Sequence, residues 1–200
     1  DRFEEDALRL LRAIRFATTT GFAIESKTWV AIQECAPLLS KISPERIRDE
    51  FSRIIIAPDR GRGLDLLVES GLIKEFLPEV IDLQGCEQPL QWHPEGDVYV
   101  HTRIALSLLD SPPLPLALAV LFHDIGKPAN QTWDAEAERL RFNSHDKIGA
   151  QMAEKILRRL RYSNQTTEDV TFMVSRHMRF MHVREMRTAK LKRFMSAETF

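Results

Sequence analysis

Imidazoles and one adjacent carboxylate make the first chemical signal. Histidines stand at 93, 101, 123, 145, 177 and 182, and His123 is followed directly by Asp124 in Phe122-His123-Asp124-Ile125-Gly126-Lys127. Imidazole nitrogen and carboxylate oxygen are ligands that Mg2+, Mn2+, Fe2+, Co2+, Ni2+ or Zn2+ accept, and no thiolate competes here. One histidine alone says little, because most are satisfied core or surface groups. The set says more. His101, His145 and His177 each fall on or beside a separate expected helix, and His123-Asp124 ends another. Neighbouring helical residues point ~100° apart, so the doublet meets one ion only from a helix terminus or by reaching around one. Four helices that each turn one or two ligands inward are how bundles build metal sites. His93, in His93-Pro94-Glu95-Gly96-Asp97, reads as a loop histidine within reach of the site mouth, and His182 as a surface one.

Two further groups could do chemistry. Asp6 and Arg9, at i and i+3, share a helical face in Glu5-Asp6-Ala7-Leu8-Arg9-Leu10-Leu11-Arg12. A carboxylate that accepts and a guanidinium that donates as a fork can together read the Watson–Crick edge of a base. The plainer alternative is an exposed ion pair worth only a few tenths of a kcal/mol. Near the C-terminal end, Arg158, Arg159 and Arg161 precede Arg176, Arg179, Arg184, Arg187, Lys190, Lys192 and Arg193. These suit RNA phosphates, or else form solvated helix faces.

Helices must position all of these residues. Residues 3–18 place Leu8, Leu11 and Ile14 at steps of three, with Gly21 as a stop. Ser26 can cap a helix to about Ala36, before Pro37. Ser43-Pro44-Glu45 starts another that runs to about Ala57. A Gly-rich turn at 60–63 precedes a short helix, Leu64–Ser70, and further helix runs to about Leu83. Residues 84–97 are richer in Gln, Pro and Gly and read as a linker. Helical pattern returns at Val98–Leu109 and Leu116–Ile125. Gln131–Phe142 alternates like a small hairpin. Asp146 to about Leu160 is amphipathic, Thr166-Thr167-Glu168-Asp169 resembles a capping box for a helix to about Arg179, and 181–200 is basic with a helical pattern. The expected class is all-α with at most one small β-hairpin.

Composition agrees with an ordinary globular chain. The 200 residues are 44% apolar and 28% charged, with a net charge of −1. The sign is uneven: residues 151–200 carry +6 and residues 1–150 carry −7, which points to an anionic partner near the C-terminal end. Cys35 and Cys86 are too few for a disulfide framework and lack CxxC spacing, so reduced buried thiols and a cytoplasmic setting are expected. The longest apolar stretch, Leu114–Phe122, contains Pro115 and falls far short of the ~20 residues that span a bilayer. No membrane partner is expected. The sequence opens within a charged helical pattern and without Met, so a piece of a longer protein is expected.

The order His101, His123-Asp124, His145, His177, with His-Asp-Ile-Gly at its centre, resembles the HD superfamily of metal-dependent phosphohydrolases. The resemblance implies one or two divalent ions, Mn2+, Ni2+, Fe2+ or Mg2+. His101, His123 and Asp124 would hold the first, and Asp124, His145 and His177 the second. It further implies that a water activated by the ions attacks phosphorus, that Asp124 takes part in the catalysis, and that Lys127 faces the phosphate. Lys127 also suits the plain role of a cation at a helix C-terminus. The family closes its site with an Asp on a later helix, and none follows Asp169 here. That ligand is expected beyond Phe200, or is absent.

The run from Phe3 through Glu5-Asp6, Arg9, Arg12-Ala13, Arg15-Phe16-Ala17 and Gly21-Phe22 closely resembles class II tRNA nucleotidyltransferases and bacterial poly(A) polymerases. Ser43-Pro44-Glu45-Arg46-Ile47-Arg48-Asp49-Glu50-Phe51 matches the next segment of that family. The resemblance covers essentially the whole sequence. It implies that Glu5, Asp6, Arg9 and Arg12 bind the nucleotide and select CTP or ATP, that Arg46 and Glu50 brace the neck, and that the tRNA 3′ end is the RNA partner. Residues 1–83 would be neck and body helices and 84–97 a linker. Residues 98–180 would form the HD domain, and 181–200 a basic tail helix leading into further chain. The family's Gly-rich loop and Mg2+-holding Asp-x-Asp are not in this sequence, so transferase activity is expected of a longer protein and not of this piece alone. The alternatives are a stand-alone HD nucleotide phosphohydrolase and a non-catalytic RNA-binding module with a degenerate metal site.

Overall fold

The computed structural model describes residues 2–196, apart from the side chains of residues 181 and 193–195. Helix follows helix along the chain: α1 (Arg2–Glu5), α2 (Leu8–Thr20), α3 (Ser26–Cys35), α4 (Pro44–Ile55), α5 (Arg60–Glu69), α6 (Val98–Ser107), α7 (Leu114–Phe122), α8 (His145–Arg159), α9 (Asn164–Arg176) and α10 (Thr188–Met195). A hairpin of β1 (Thr132–Asp134) and β2 (Arg139–Arg141) is antiparallel and sets Trp133 opposite Leu140. The fold is all-α apart from that hairpin. Among the described residues no helix is long and apolar enough to cross a membrane.

The apolar stripes explain the packing. On α2, Leu8, Leu10, Leu11, Ile14 and Ala17 are buried while Arg12 and Phe16 stay outside. The stripe meets Ile47, Phe51, Ile54 and Ile55 of α4 within one continuous core, which also takes in Phe122 of α7, Leu157 of α8 and Val174 of α9. α2 ends where Gly21 turns left-handed at φ +74°, a conformation that glycine adopts without cost. Polar groups brace the same packing. Glu50, 5% exposed, pairs with Arg12 at 3.2 Å and Arg15 at 3.1 Å, and Arg46 pairs with Asp6 at 3.2 Å. Arg46 and Glu50 therefore both tie α4 to the N-terminal helices, each through its own partners.

Local structure departs from the sequence reading at several places. The helix expected over 3–18 breaks at Asp6, whose Oδ1 accepts the Leu8 N–H at 3.2 Å and so starts α2 afresh. The cap of α3 is Glu25, which accepts the Thr28 N–H at 2.8 Å, in place of Ser26. The cap of α9 is Ser163, which accepts the Thr166 N–H at 3.1 Å, so α9 starts before the expected capping box. The expected Gly-rich turn at 60–63 is the first turn of α5. A Cβ on Gly61 would sit 2.0 Å from Ser107 Oγ, and one on Gly63 would sit 2.8 Å from Ile54 and 2.9 Å from Thr18. These glycines serve close helix approach.

Residues 84–97 form a pinned loop. Gln88 N–H donates to Gly96 O at 3.0 Å, and Asp97 accepts from Gly85 N–H at 2.7 Å while capping α6 through Val100 N–H at 3.0 Å. At the other end of α6 the buried Arg60 guanidinium donates to the carbonyls of Leu106 and Leu109. α6 is thus fixed at both ends, and its first turn carries His101.

Candidate metal centre

Asp124 lies just past the end of α7 and is 2% exposed. Its two oxygens face different partners. Oδ2 lies 3.0 Å from His123 Nε2, 3.9 Å from His101 Nε2 and 2.7 Å from Lys127 Nζ. Oδ1 lies 3.4 Å from His145 Nε2 and 3.7 Å from His177 Nε2. The structure therefore brings together all five residues expected to ligate metal, from the ends or first turns of α6, α7, α8 and α9.

Hydrogen bonding fixes which nitrogen of each ring is free. His123, His145 and His177 place Nδ1 2.7 Å from the carbonyls of Val120, Phe142 and Val174. A carbonyl oxygen only accepts, so each of these Nδ1 atoms carries the proton. His101 Nδ1 makes its hydrogen bond with Glu95 Oε1. Rings held this way turn four Nε2 atoms toward one buried carboxylate. His145 Nε2 and His177 Nε2 lie 3.2 Å apart, an arrangement that two lone pairs do not favour unless a proton or a cation lies with them. Ligands sharing one ion at ~2.0–2.2 Å stand at comparable separations from one another. His101, His123 and Asp124 make one such set and Asp124, His145 and His177 another. The donor set fits divalent cations.

The electrostatics agree. Burial pushes the Asp124 carboxyl up, but the charge and hydrogen bond of His123, with the His145 bond and Lys127, hold it well below the usual range. Burial pushes His123 down, and Asp124 outweighs it and raises the imidazole. Burial lowers His177.

Close packing of the backbone sets the site. Gly126 lies against the start of α8, where an added Cβ would come within 2.5 Å of His145 O and 2.6 Å of Gly149 N. Lys127, 5% exposed, donates to Asp124 at 2.7 Å and to Gln88 Oε1 at 2.8 Å. Its ammonium is committed to the carboxylate and the 84–97 loop.

The loop brings Glu95 and Gln88, which the sequence reading did not single out, and the histidine at its site mouth, His93. Glu95 reaches His101, and Gln88 holds Lys127. His93 lies with its ring 4.7 Å from that of His101, edge to face, and its Nδ1 3.3 Å from Glu95. Only the Pro-Glu-Gly turn beside a histidine hinted at this. A cleft of about 760 Å3 opens beside His123 and His177, walled by Leu116, Ala119, Phe172 and Met173, with Gln165, Asp169 and Arg176 as its polar groups.

The other expected site residues are placed as follows. Asp6 and Arg9 do not pair with each other: Asp6 meets Arg46, and Arg9 meets Glu5 at 3.0 Å. Arg12 is half-exposed against Glu50. Arg158 pairs with Glu154 at 2.9 Å, and Arg159 grips Glu79 with two bonds of 2.8 Å. Arg161 is exposed at a left-handed turn, φ 59°. Arg184, Arg187, Lys190 and Lys192 are exposed on the 3-10 turn His177–Glu185, the residues after it and α10. The Arg193 side chain lies outside the described residues. His182 is on the surface, 3.4 Å from Glu185.

Known proteins share both halves of this arrangement. Residues 21–83 match a family described as the probable RNA and SrmB-binding site of polymerase A. A CC-adding tRNA nucleotidyltransferase of Thermus thermophilus is 36% identical over 183 residues, covering 87% of this chain and 42% of the relative. An A-adding tRNA nucleotidyltransferase of Deinococcus radiodurans is 36% identical over 187 residues, covering 89% and 43%. A multifunctional CCA protein of Halorhodospira halophila is 33% identical over 197 residues, covering 94% and 46%. The chain spans less than half the length of these relatives. Residues 93–197, more than half of the chain and the span that carries His101, His123-Asp124, His145 and His177, match the HD domain, and the chain belongs to that family.

Proposed function

We propose that this chain provides the RNA-contacting helices and a metal-dependent phosphohydrolase centre of an RNA 3′-end nucleotidyltransferase. The observation that carries the hydrolase reading is Asp124, with one oxygen toward the His101–His123 pair and the other toward the His145–His177 pair. Bound to these two sets, divalent cations would supply Lewis-acid stabilisation of the charge that develops on a phosphoryl group. The protein's own contribution is preorganisation. Backbone carbonyls hold three rings in one tautomer, and Lys127 donates to Asp124 Oδ2 and so fixes the carboxylate's aim.

The transferase reading rests on the relatives, which are named for adding CC, A or CCA. CTP and ATP are its proposed nucleotides, Glu5, Asp6, Arg9 and Arg12 the proposed base-reading group, and tRNA the proposed partner. Arg161, Arg184, Arg187, Lys190, Lys192 and Arg193 are proposed to meet RNA phosphates. Arg158 and Arg159 join them only by exchanging their present carboxylate partners.

The test is hydrolysis of nucleotide monophosphates and of 2′,3′-cyclic phosphate ends with Mn2+, Ni2+ or Mg2+ added. Cation-dependent phosphate release that Asp124→Asn abolishes supports the reading. No release with any of the three, or full activity in Asp124→Asn, overturns it.

A further inference from the structure

We propose that Glu95 is a positioning residue for the metal centre: it holds the His101 ring so that Nε2 faces Asp124 with its lone pair free. The inference rests on the metal reading above.

The need for such a residue follows from where each histidine sits. His123 and His177 follow the last residues of α7 and α9, and their Nδ1 atoms find Val120 O and Val174 O in the final helical turn. Carbonyls of a last turn lie past the i+4 ladder, although Val174 O also takes the His177 N–H. His145 uses Phe142 O, which precedes α8. His101 lies in the first turn of α6, which starts at Val98. Carbonyls of a first turn already accept in the helical ladder, and His101 Nδ1 takes its acceptor from outside the helix. Glu95 Oε1 supplies it. The same oxygen lies 3.3 Å from His93 Nδ1, and the His93 ring packs edge-on against His101. Glu95 is itself held. Its loop is pinned by the Gln88 to Gly96 bond and by Asp97 at the start of α6, and joined to Asp124 through Gln88 and Lys127. Nothing in that chain of contacts requires Glu95 to touch an ion.

His93, Glu95 and His101 are also close enough to form a ligand group of their own, and the experiment separates the two roles. Histidine nitrogens are read by long-range 15N–1H NMR in the metal-free protein, and Co2+ binding by calorimetry. In wild type His101 is expected in the Nδ1–H form. Glu95→Ala shifts it toward Nε2–H and weakens Co2+ binding ~10- to 100-fold with the number of ions unchanged. Glu95→Gln, whose amide oxygen still accepts, keeps the tautomer and most of the affinity. Should alanine destabilise the loop, Glu95→Asp, one methylene shorter, gives the same readings as alanine. Unchanged tautomer and affinity in Glu95→Ala, with wild type binding Co2+, overturn the inference and leave the metal reading standing. One ion fewer in both variants makes Glu95 a ligand and overturns the positioning role. A wild type that binds no Co2+ overturns the metal reading and this inference with it.

Discussion

Proton placement on the imidazoles governs the centre at the scale of single residues. Because Nδ1 is occupied at His123, His145 and His177, each Nε2 is left to ligate. The two oxygens of Asp124 divide the rings into separate sets, so the sets should fail separately. His177→Ala is expected to halve the bound metal and leave the set containing His101 and His123 filled, as read by metal analysis after dialysis. Loss of all metal would contradict the division. In a protein carrying the transferase head, Asp6→Ala is expected to relax the CTP-against-ATP choice severalfold, read by primer extension with each nucleotide. Unchanged selectivity would remove Asp6 from the base-reading role. The five candidate ligand residues were legible because a histidine-aspartate doublet and its spaced partners form a pattern along the chain. The partners of Asp6 and Glu50 were not. Arg46 lies 40 residues from Asp6 and Arg12 lies 38 from Glu50, and no local spacing encodes which cross-helix pair wins.

Two close contacts between elements carry the geometry. Gly126 lets the His-Asp turn meet the first turns of α8, and a Cβ there would press on backbone. Gly126→Ala is expected to cost ~1–3 kcal/mol of stability, seen as a lower denaturation midpoint. Since the strain separates His145 from Asp124, metal affinity should also fall more than tenfold. The second contact joins α4 to the residue after α8's C-cap region, where Tyr162 and Ser52 share a hydrogen bond of 2.8 Å. Burial pushes the Tyr162 hydroxyl up from 10.0 to about 12. A raised pKa adds stability that is complete below pH 10 and lost as pH rises through about 12. The neutral, partly buried phenol accounts for on the order of 2 kcal/mol. Urea midpoints should therefore drop more between pH 9 and pH 11.5 in wild type than in Tyr162→Phe; equal drops would contradict it. Helix existence was legible from apolar spacing, and the hairpin from alternation. The start of α5 was not, because Gly61 and Gly63 read locally as a turn while their cause is Ser107, Thr18 and Ile54. The 84–97 loop read as a linker for the same reason: its anchors, Lys127 and His101, lie elsewhere in the chain.

Across the whole molecule, the near-neutral charge of −1 hides a segregation, with +6 on the last 50 residues. Arg184, Arg187, Lys190 and Lys192 have no carboxylate partner among the described residues and stand exposed in the chain that follows α9. Reversing Arg187, Lys190 and Lys192 to Glu is expected to weaken tRNA binding at least tenfold and to flatten the dependence of log K on log salt by ~2–3. An unchanged slope would place the RNA elsewhere. One continuous core runs from α2 and α4 through α7, α8 and α9, so the candidate metal centre and the N-terminal helices are held by a single packed body. Diffraction from crystals soaked in Mn2+ tests the central claim most directly. Two anomalous peaks are predicted, one on each side of Asp124, bounded by His101 and His123 and by His145 and His177. No peak within that ring of histidines would contradict the account.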